Sequence, residues 1–146
     1  MDLQEEKLFN TWQAIDELYE SYAKEKGLSY MSLCIAEILL EQKEGCTQKF
    51  ISEKTHYPKQ NVNIFVKVLY ENGYVRLMET ASDRRNKIIV LTKEGRKYLE
   101  KIILPLWEIE EKATHVIPQK DQETFQKCLA IYESSFREEL QNIKKR

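Results

Sequence analysis

The spacing of apolar residues predicts helices over most of the chain. From residue 5 to residue 24, apolar side chains recur every three or four residues, which places them on one face of a helix that Gly27 ends. The residues on this face are Leu8, Trp12, Ile15, Leu18, Tyr19 and Tyr22. This stripe covers either the chain's own core or that of a partner. Residues 30–42, with Ser29 as N-cap, are apolar nearly all round, which predicts a helix at the centre of the core.

Residues 47–92 predict two short helices followed by a β-hairpin. Thr47 caps the first helix and Pro58 opens the second, since proline lacks the N–H that is left unpaired in a first helical turn. The second helix has an apolar face made of Val62, Phe65, Val66 and Leu69. After Gly73, residues 74–80 and 87–92 have the apolar and β-branched content of strands. This order predicts a helix-turn-helix followed by a β-wing.

Two more helices are predicted after the hairpin. The first begins at Thr92 and is expected to kink at Pro105, where a helical hydrogen bond is lost, and Pro118 opens the second. In the last helix an apolar seam recurs every three or four residues, at Phe125, Leu129, Tyr132, Phe136, Leu140 and Ile143. A seam this regular on a terminal helix predicts packing against a second copy of the chain, together with the N-terminal stripe. In a monomer the seam would belong to the chain's own core.

Length and composition predict one domain with a single core, because the chain has 146 residues of which 42% are hydrophobic. The predicted fold class is mainly α with a small β-wing. A winged helix-turn-helix core at residues 29–101 would lie between dimerisation helices at residues 1–26 and 102–146. No stretch approaches the roughly 18 apolar residues of a membrane span, and the N-terminus lacks the pattern of an export signal. A cytoplasmic location with no membrane partner is therefore expected.

Charge is distributed unevenly, although the formal net charge is only -1. Residues 43–101 hold 13 Lys and Arg against 7 Asp and Glu. Residues 1–42 hold 3 against 9, and residues 102–146 hold 7 against 8. A basic middle segment between acidic or neutral ends indicates a phosphate-binding face on a scaffold that does not itself attract phosphate.

Polar residues crowd the first turns of the second short helix, where a helix in the major groove meets base edges. Asn, Gln and Lys carry donors and acceptors that match adenine and guanine. Two arginines at the hairpin tip suit a minor groove, and Asp83 beside them can hold a guanidinium. The alternatives are a solvated helix start and a surface turn with a local salt bridge. The predicted DNA-binding residues are Thr47, Lys59, Gln60, Asn61, Asn63, Lys67, Asp83, Arg84, Arg85 and Lys87.

Three segments together resemble the winged helix-turn-helix core of the MarR family of bacterial transcription regulators. They are TQKFISEKT, the polar-headed helix that ends in LYENGYV, and DRRNKIIVLTKEG. The order of the long helices, one before the core and two after it, is also that of the family. The most specific signature is D-R-R-x-K, then apolar residues, then L-T-x-x-G, formed by Asp83, Arg84, Arg85, Lys87, Leu91, Thr92 and Gly95.

The resemblance implies a sequence-specific, ligand-responsive repressor that binds double-stranded DNA as a homodimer with interlaced terminal helices. The operator would be a pseudo-palindrome with half-sites roughly 10 bp apart. Each wing would place an arginine in the minor groove, with Arg85 the first choice, Arg84 the next and Asp83 the orienting partner. The predicted dimerisation residues are Leu8, Trp12, Phe125, Leu129, Tyr132, Phe136 and Leu140. A small aromatic or lipophilic effector would occupy a pocket lined by Trp12, Tyr19, Tyr30, Met31 and Cys34.

Other functions have less support in the sequence. Catalysis would need a nucleophile with a base, a glycine-rich phosphate loop or a metal cluster, and none is recognisable, so no enzyme activity, cofactor or metal is expected. A winged helix that binds only proteins is an alternative, but it would have no reason to keep a basic wing. Redox sensing through Cys34, Cys46 or Cys128 is another, and it would require an accessible thiolate, whereas the neighbours of Cys34 are apolar.

Overall fold

The computed structural model describes residues 2–82 and 85–146. Asp83 and Arg84, both predicted at the wing tip, lie outside the described residues, as does Met1. The elements in chain order are α1 (Leu3–Glu25), α2 (Tyr30–Glu41), β1 (Cys46–Thr47), α3 (Gln48–Thr55), α4 (Lys59–Glu71), β2 (Val75–Met78), β3 (Ile88–Leu91), α5 (Lys93–His115) and α6 (Gln119–Lys144). The fold is mainly α with a small sheet, as predicted.

Helices α2 and α3 begin where a side chain accepts a hydrogen bond from an unpaired backbone N–H group. The Ser29 side chain accepts a hydrogen bond from the backbone N–H of Ser32 at 3.1 Å, and the Thr47 hydroxyl accepts one from Phe50 at 3.1 Å. Pro58 is the N-cap of α4 and Pro118 that of α6, both without a side-chain cap hydrogen bond, so Pro58 lies one residue before the first helical turn in which it was predicted. The helix starts predicted from these capping residues are therefore confirmed.

The three strands form one antiparallel sheet in the order β1–β3–β2. In the wing, Val75 pairs with Leu91 and Met78 pairs with Ile88. The two-residue strand β1 was not predicted, because so short a segment shows no alternation of apolar and polar residues. Its pairing with β3 attaches the start of α3 to the wing.

The first of two compact units spans Met1–Leu104 and contains the main core. Helix α2 lies at its centre, as its all-round apolar pattern predicts, and the predicted inner face of α4 is buried in full. Helix α5 contributes Leu99, Ile102 and Ile103. The largest fully buried side chains are those of Leu33, Ile35, Leu39, Ile51, Leu69, Ile89, Leu99 and Ile103.

The junction between the wing and α5 explains the L-T-x-x-G signature. The Thr92 hydroxyl donates to the Gly73 carbonyl at 2.7 Å and accepts from the Gly95 N–H at 3.0 Å. It therefore caps α5 and links the start of α5 to the residues that precede β2. The Thr92 N–H donates to the Tyr74 carbonyl, and the rings of Tyr74 and Tyr98 stack 4.5 Å apart. Gly95 is buried against the Tyr74 backbone so closely that a Cβ would lie 1.8 Å from its carbonyl oxygen.

Helix α1 has a mostly exposed apolar stripe. Near its C-terminal end, Ala23 is buried and the Tyr22 hydroxyl donates to the Ile102 carbonyl at 2.6 Å. Further towards the N-terminus, the large apolar residues Leu8, Trp12, Ile15 and Leu18 are exposed. Most of this stripe therefore does not cover the core of its own chain.

The second compact unit, Pro105–Arg146, contains the end of α5 and the whole of α6. Gln122 fixes their connection, because its side-chain amide donates to the carbonyls of Thr114 and Ile117 at 3.1 and 2.7 Å. Every residue of α6 is exposed or half-buried, including the predicted seam. The single-domain prediction stays a prediction. Among the described residues, no helix is long and apolar enough to cross a membrane.

Candidate nucleic-acid interface

The turn between α3 and α4 is held by hydrogen bonds that fix where α4 begins. His56 adopts a left-handed conformation (φ 62°) and ends α3. The Ser52 hydroxyl donates to the Tyr57 carbonyl at 2.5 Å, and the Tyr57 N–H donates to the Thr55 hydroxyl at 3.3 Å. The two helices thus form the predicted helix-turn-helix, with the first turn of α4 at the surface of the unit.

Helix α4 separates into a buried apolar face and a solvent-facing face. Val62, Phe65, Val66 and Leu69 are buried, so the helix is anchored along its length. Among the residues predicted to contact DNA, Lys59, Gln60, Asn63 and Lys67 are exposed and Asn61 is half-buried. The structure therefore leaves the predicted contact residues of α4 accessible on one rigid element.

A cleft of about 150 Å³ lies between the starts of α3 and α4 and the wing. Four of its eight lining residues are cations, namely Lys49, Lys59, Arg85 and Lys87, and none of the eight is acidic. We call this the basic cleft; its full lining is Gln48, Lys49, Lys59, Leu77, Arg85, Asn86, Lys87 and Ile89. The fold thus gathers cations from three segments of the chain at one surface, which is the electrostatic arrangement that attracts a phosphate backbone.

An amide pair joins the beginnings of α3 and α4 at the edge of the cleft. The side-chain amide of Gln48 and that of Asn63 are hydrogen-bonded across 3.0 Å. In either orientation of the two amides, one N–H and one carbonyl oxygen are used in the bond, and each side chain keeps further donors and acceptors. The contact restricts Asn63, a predicted base-contacting residue, by linking it to a second helix.

The remaining predicted contact residues have different surroundings. Arg85 and Lys87 are exposed and line the basic cleft. Thr47 is half-buried, and its hydroxyl oxygen caps α3. Lys67 lies on the exposed face of α4 two turns after Lys59, outside the cleft lining. The DNA-contact roles of all these residues remain predictions, as do those of Asp83 and Arg84, which lie outside the described part of the chain.

Sequence reasoning missed several residues of this surface. Gln48, Lys49 and Asn86 line the cleft without having been predicted, and Ile64 is exposed on α4 among the polar residues. The pairing of Thr47 with Ile88 brings α3 to the wing, and no local pattern reveals that contact. The signal for Ile64 was present in the sequence, because it falls off the apolar face defined by Val62, Phe65, Val66 and Leu69.

Three of the residues predicted to line an effector pocket, Tyr19, Tyr30 and Cys34, lie close together, and their role in binding an effector stays a prediction. The rings of Tyr19 and Tyr30 lie 5.3 Å apart, and the side chains of Tyr30 and Tyr57 lie near enough to the Cys34 thiol to affect its pKa. Met31 is half-buried on α2, and Trp12 is exposed on α1, two turns before Tyr19. This aromatic cluster connects α1 and α2 to the turn that precedes α4.

The three cysteines differ in accessibility and in acidity. Cys46 is buried and Cys34 half-buried, whereas Cys128 is exposed. Burial raises the pKa of the Cys46 thiol to about 11. Burial also raises the pKa of Cys34, although the hydrogen bond from Tyr57 partly opposes the shift. Both thiols are therefore overwhelmingly protonated at neutral pH, which is unfavourable for oxidant sensing.

We expect alkylation of the native protein to distinguish these thiols. At pH 7.5, iodoacetamide should modify Cys128 faster than Cys34 or Cys46, because Cys128 is exposed, whereas burial limits access to the other two thiols and raises their pKa. Mass spectrometry of the peptides, with the denatured chain as control, measures the three rates. Rapid modification of Cys34 in the native protein at this pH would contradict the assignment of an inert thiol.

The chain is similar to known proteins in both sequence and fold. A model of the MarR family matches residues 26–86, which run from the end of α1 through the helix-turn-helix and β2. Residues 26–86 are therefore similar in sequence to the MarR family. Over 86 residues, the chain is 31% identical to an uncharacterized HTH-type transcriptional regulator of Bacillus subtilis, YwoH, covering 59% of this chain and 62% of that protein. The chain spans less than two thirds of the length of the curated relatives that it matches.

The fold similarity extends beyond the MarR-family segment. NMB1585, a MarR family regulator from Neisseria meningitidis, superposes with a TM-score of 0.76 at 24% identity, covering 97% of this chain and 99% of that one. MepR of S. aureus, solved as a complex with DNA, gives a TM-score of 0.73 at 20% identity, covering 86% and 96%. The chain as a whole therefore has the winged-helix fold of MarR-family regulators, with the long helices that precede and follow the MarR-family segment included.

Proposed function

We propose that two copies of this chain bind double-stranded DNA and regulate transcription from a pseudo-palindromic operator. The basic cleft carries this proposal, because it brings Lys49, Lys59, Arg85 and Lys87 together beside the exposed polar face of α4. A duplex whose major groove receives the start of α4 would place phosphates beside the cleft and base edges beside Gln60, Asn61 and Asn63. The MarR-family segment and the fold shared with a regulator solved on DNA also support the proposal.

The apolar surface of the terminal helices supports the homodimer. On α6, Phe125, Tyr132, Phe136 and Leu140 are exposed and Leu129 is half-buried, and on α1 Leu8 and Trp12 are exposed. Large apolar side chains repeated along two long helices would be stabilised by burial against a second copy. A dimer would hold two α4 helices at a fixed separation, which is the requirement for an inverted-repeat operator.

The second part of the proposal concerns the response to a small-molecule ligand. We propose that a small aromatic or lipophilic effector binds at the aromatic cluster of Tyr19, Tyr30 and Cys34, and that its binding relieves repression. Tyr57 adjoins this cluster, and its backbone lies in the turn that positions α4, so an effector there would act on the helix proposed to contact bases.

The proposed place of action is the cytoplasm, and nothing in the proposed role requires catalysis. A role confined to protein binding is less favoured, because it would not explain why four cations line the basic cleft.

Sequence preference should depend on the first turn of α4. The double variant Gln60→Ala, Asn61→Ala removes two side chains that can form directional hydrogen bonds with bases, while the cations of the cleft remain. We expect the wild-type preference for its best sites over random DNA to fall by roughly tenfold or more, since a matched base contact contributes about 1–3 kcal/mol. Competition gel-shift assays with sites selected from random duplexes measure this ratio.

A matched control exists in the same chain. Gln141 and Asn142 form a second adjacent Gln–Asn pair, exposed near the end of α6, and their double alanine variant should retain the wild-type preference. If the Gln60, Asn61 double variant kept the wild-type preference as well, α4 would not be the helix that selects sequence.

A further inference from the structure

An isoleucine occupies the middle of the polar face of α4. Ile64 is 64% exposed, although it is flanked in sequence by the buried Val62, Phe65 and Val66. Gln60 precedes it by four residues and Lys67 follows it by three, so all three side chains lie on the same solvent-facing side of the helix. A β-branched apolar residue there adds neither helix propensity nor core packing. Its position therefore points to a contact made outside the chain.

The surroundings of Ile64 determine what that contact can be. Asn63, its neighbour, is fixed to Gln48 at the rim of the basic cleft, and Lys59 lies one turn earlier on the adjoining side of α4. An apolar surface of another protein would offer few negative charges to pair with these cations. A DNA duplex meets them with phosphates, and its major groove offers one apolar group among the base edges, the C5-methyl of thymine.

We propose that Ile64 packs against the C5-methyl group of a thymine in each operator half-site and so specifies thymine at that position. This inference rests on the proposed function, since it assumes that α4 enters the major groove. Gln60 and Asn63 flank Ile64 on the helix, so the base pairs beside this thymine would be contacted by amides. The apolar contact would discriminate thymine from cytosine at one pyrimidine position, because cytosine lacks the methyl group and presents an amino group instead.

Replacing thymine by deoxyuridine tests the contact, because it removes the methyl group and leaves base pairing unchanged. Each thymine of a site selected from random DNA is replaced in turn, and the affinity of the full-length protein is measured. For the wild type we expect one position per half-site at which deoxyuridine weakens binding about fourfold, the effect of burying one methyl group. For Ile64→Ala the same replacement should change affinity by less than about 1.5-fold, since the partner surface is gone.

Val68→Ala provides the matched control, since Val68 is another exposed aliphatic residue of α4, one turn after Ile64. This variant should keep the fourfold penalty at the same thymine. A methyl penalty that persists in Ile64→Ala, or the absence of any methyl-sensitive thymine in the wild type, would overturn the inference while leaving DNA binding in place. If selection enriched no sequence at all, the proposed function would fail and this inference with it. Both variants change exposed side chains, and their thermal unfolding should match that of the wild type.

Discussion

Replacing Arg85 by alanine is expected to weaken binding of the dimer to the selected DNA site by roughly a hundredfold or more without dissociating the dimer. Arg85 is exposed at the wing and lines the basic cleft, and charge-assisted hydrogen bonds of its guanidinium to DNA would contribute about 1.5–3 kcal/mol. In a dimer the change removes two cations, so the slope of log affinity against log salt should become less negative by about 2. Gel-shift titrations at several salt concentrations, with sedimentation to confirm the dimer, measure both effects.

Arg76→Ala is the control for this prediction. Arg76 is exposed on strand β2, and it points to the opposite side of the strand from Leu77, which lines the basic cleft. The same loss of charge at Arg76 should change affinity by less than about threefold, as expected for a cation away from the proposed interface. Equal losses in the two variants would mean that general charge, and not the position of Arg85, determines affinity.

Replacing Gly95 by alanine is expected to destabilise the protein by about 3 kcal/mol or more. Helix propensity alone predicts the opposite, because alanine is favoured over glycine by about 1 kcal/mol in a helix. The added Cβ, however, would lie 1.8 Å from the Tyr74 carbonyl oxygen and 2.6 Å from its carbonyl carbon. That backbone cannot easily move, since Tyr74 accepts a hydrogen bond from Thr92 and stacks on Tyr98. Urea-induced unfolding of the full chain measures the loss.

Gly27→Ala separates this steric effect from the general cost of losing a glycine. Gly27 has a φ of +74°, and nothing lies within 4 Å of the position that an alanine Cβ would take, so the substitution should cost only about 1 kcal/mol. A Gly95→Ala protein as stable as the wild type would show that the approach of α5 to the wing is not as close as described. The glycine of the L-T-x-x-G signature would then not be required for the packing of the wing against α5.

Local sequence signals predicted the helices and their starting points because the deciding interactions are local. Ser29 and Thr47 bond to N–H groups three residues away, and the apolar face of α4 follows from the spacing of Val62, Phe65, Val66 and Leu69. The wing strands were predicted for the same reason, although they are shorter than the segments that the pattern marked.

Local sequence patterns could not predict contacts between distant segments of the chain. The strand pairing of Cys46 with Ile89 and the amide pair of Gln48 and Asn63 join residues from different segments of the chain, and Gln48 and Ile89 both line the basic cleft. The role of Gly95 also depends on a partner twenty-one positions earlier, at Tyr74. The charge excess of residues 43–101 predicted that a basic face exists, but only the fold determined which of its cations share one surface.

Selection of bound sequences from a pool of random DNA duplexes, with the purified full-length chain, tests the central claim most directly. Two copies that each insert α4 into a major groove should enrich an inverted repeat whose half-site centres are roughly 10 bp apart. The enriched duplex should bind two copies of the chain. A pool that remains random after repeated rounds, or that yields a single motif without a symmetric partner, would contradict the account of a paired winged helix.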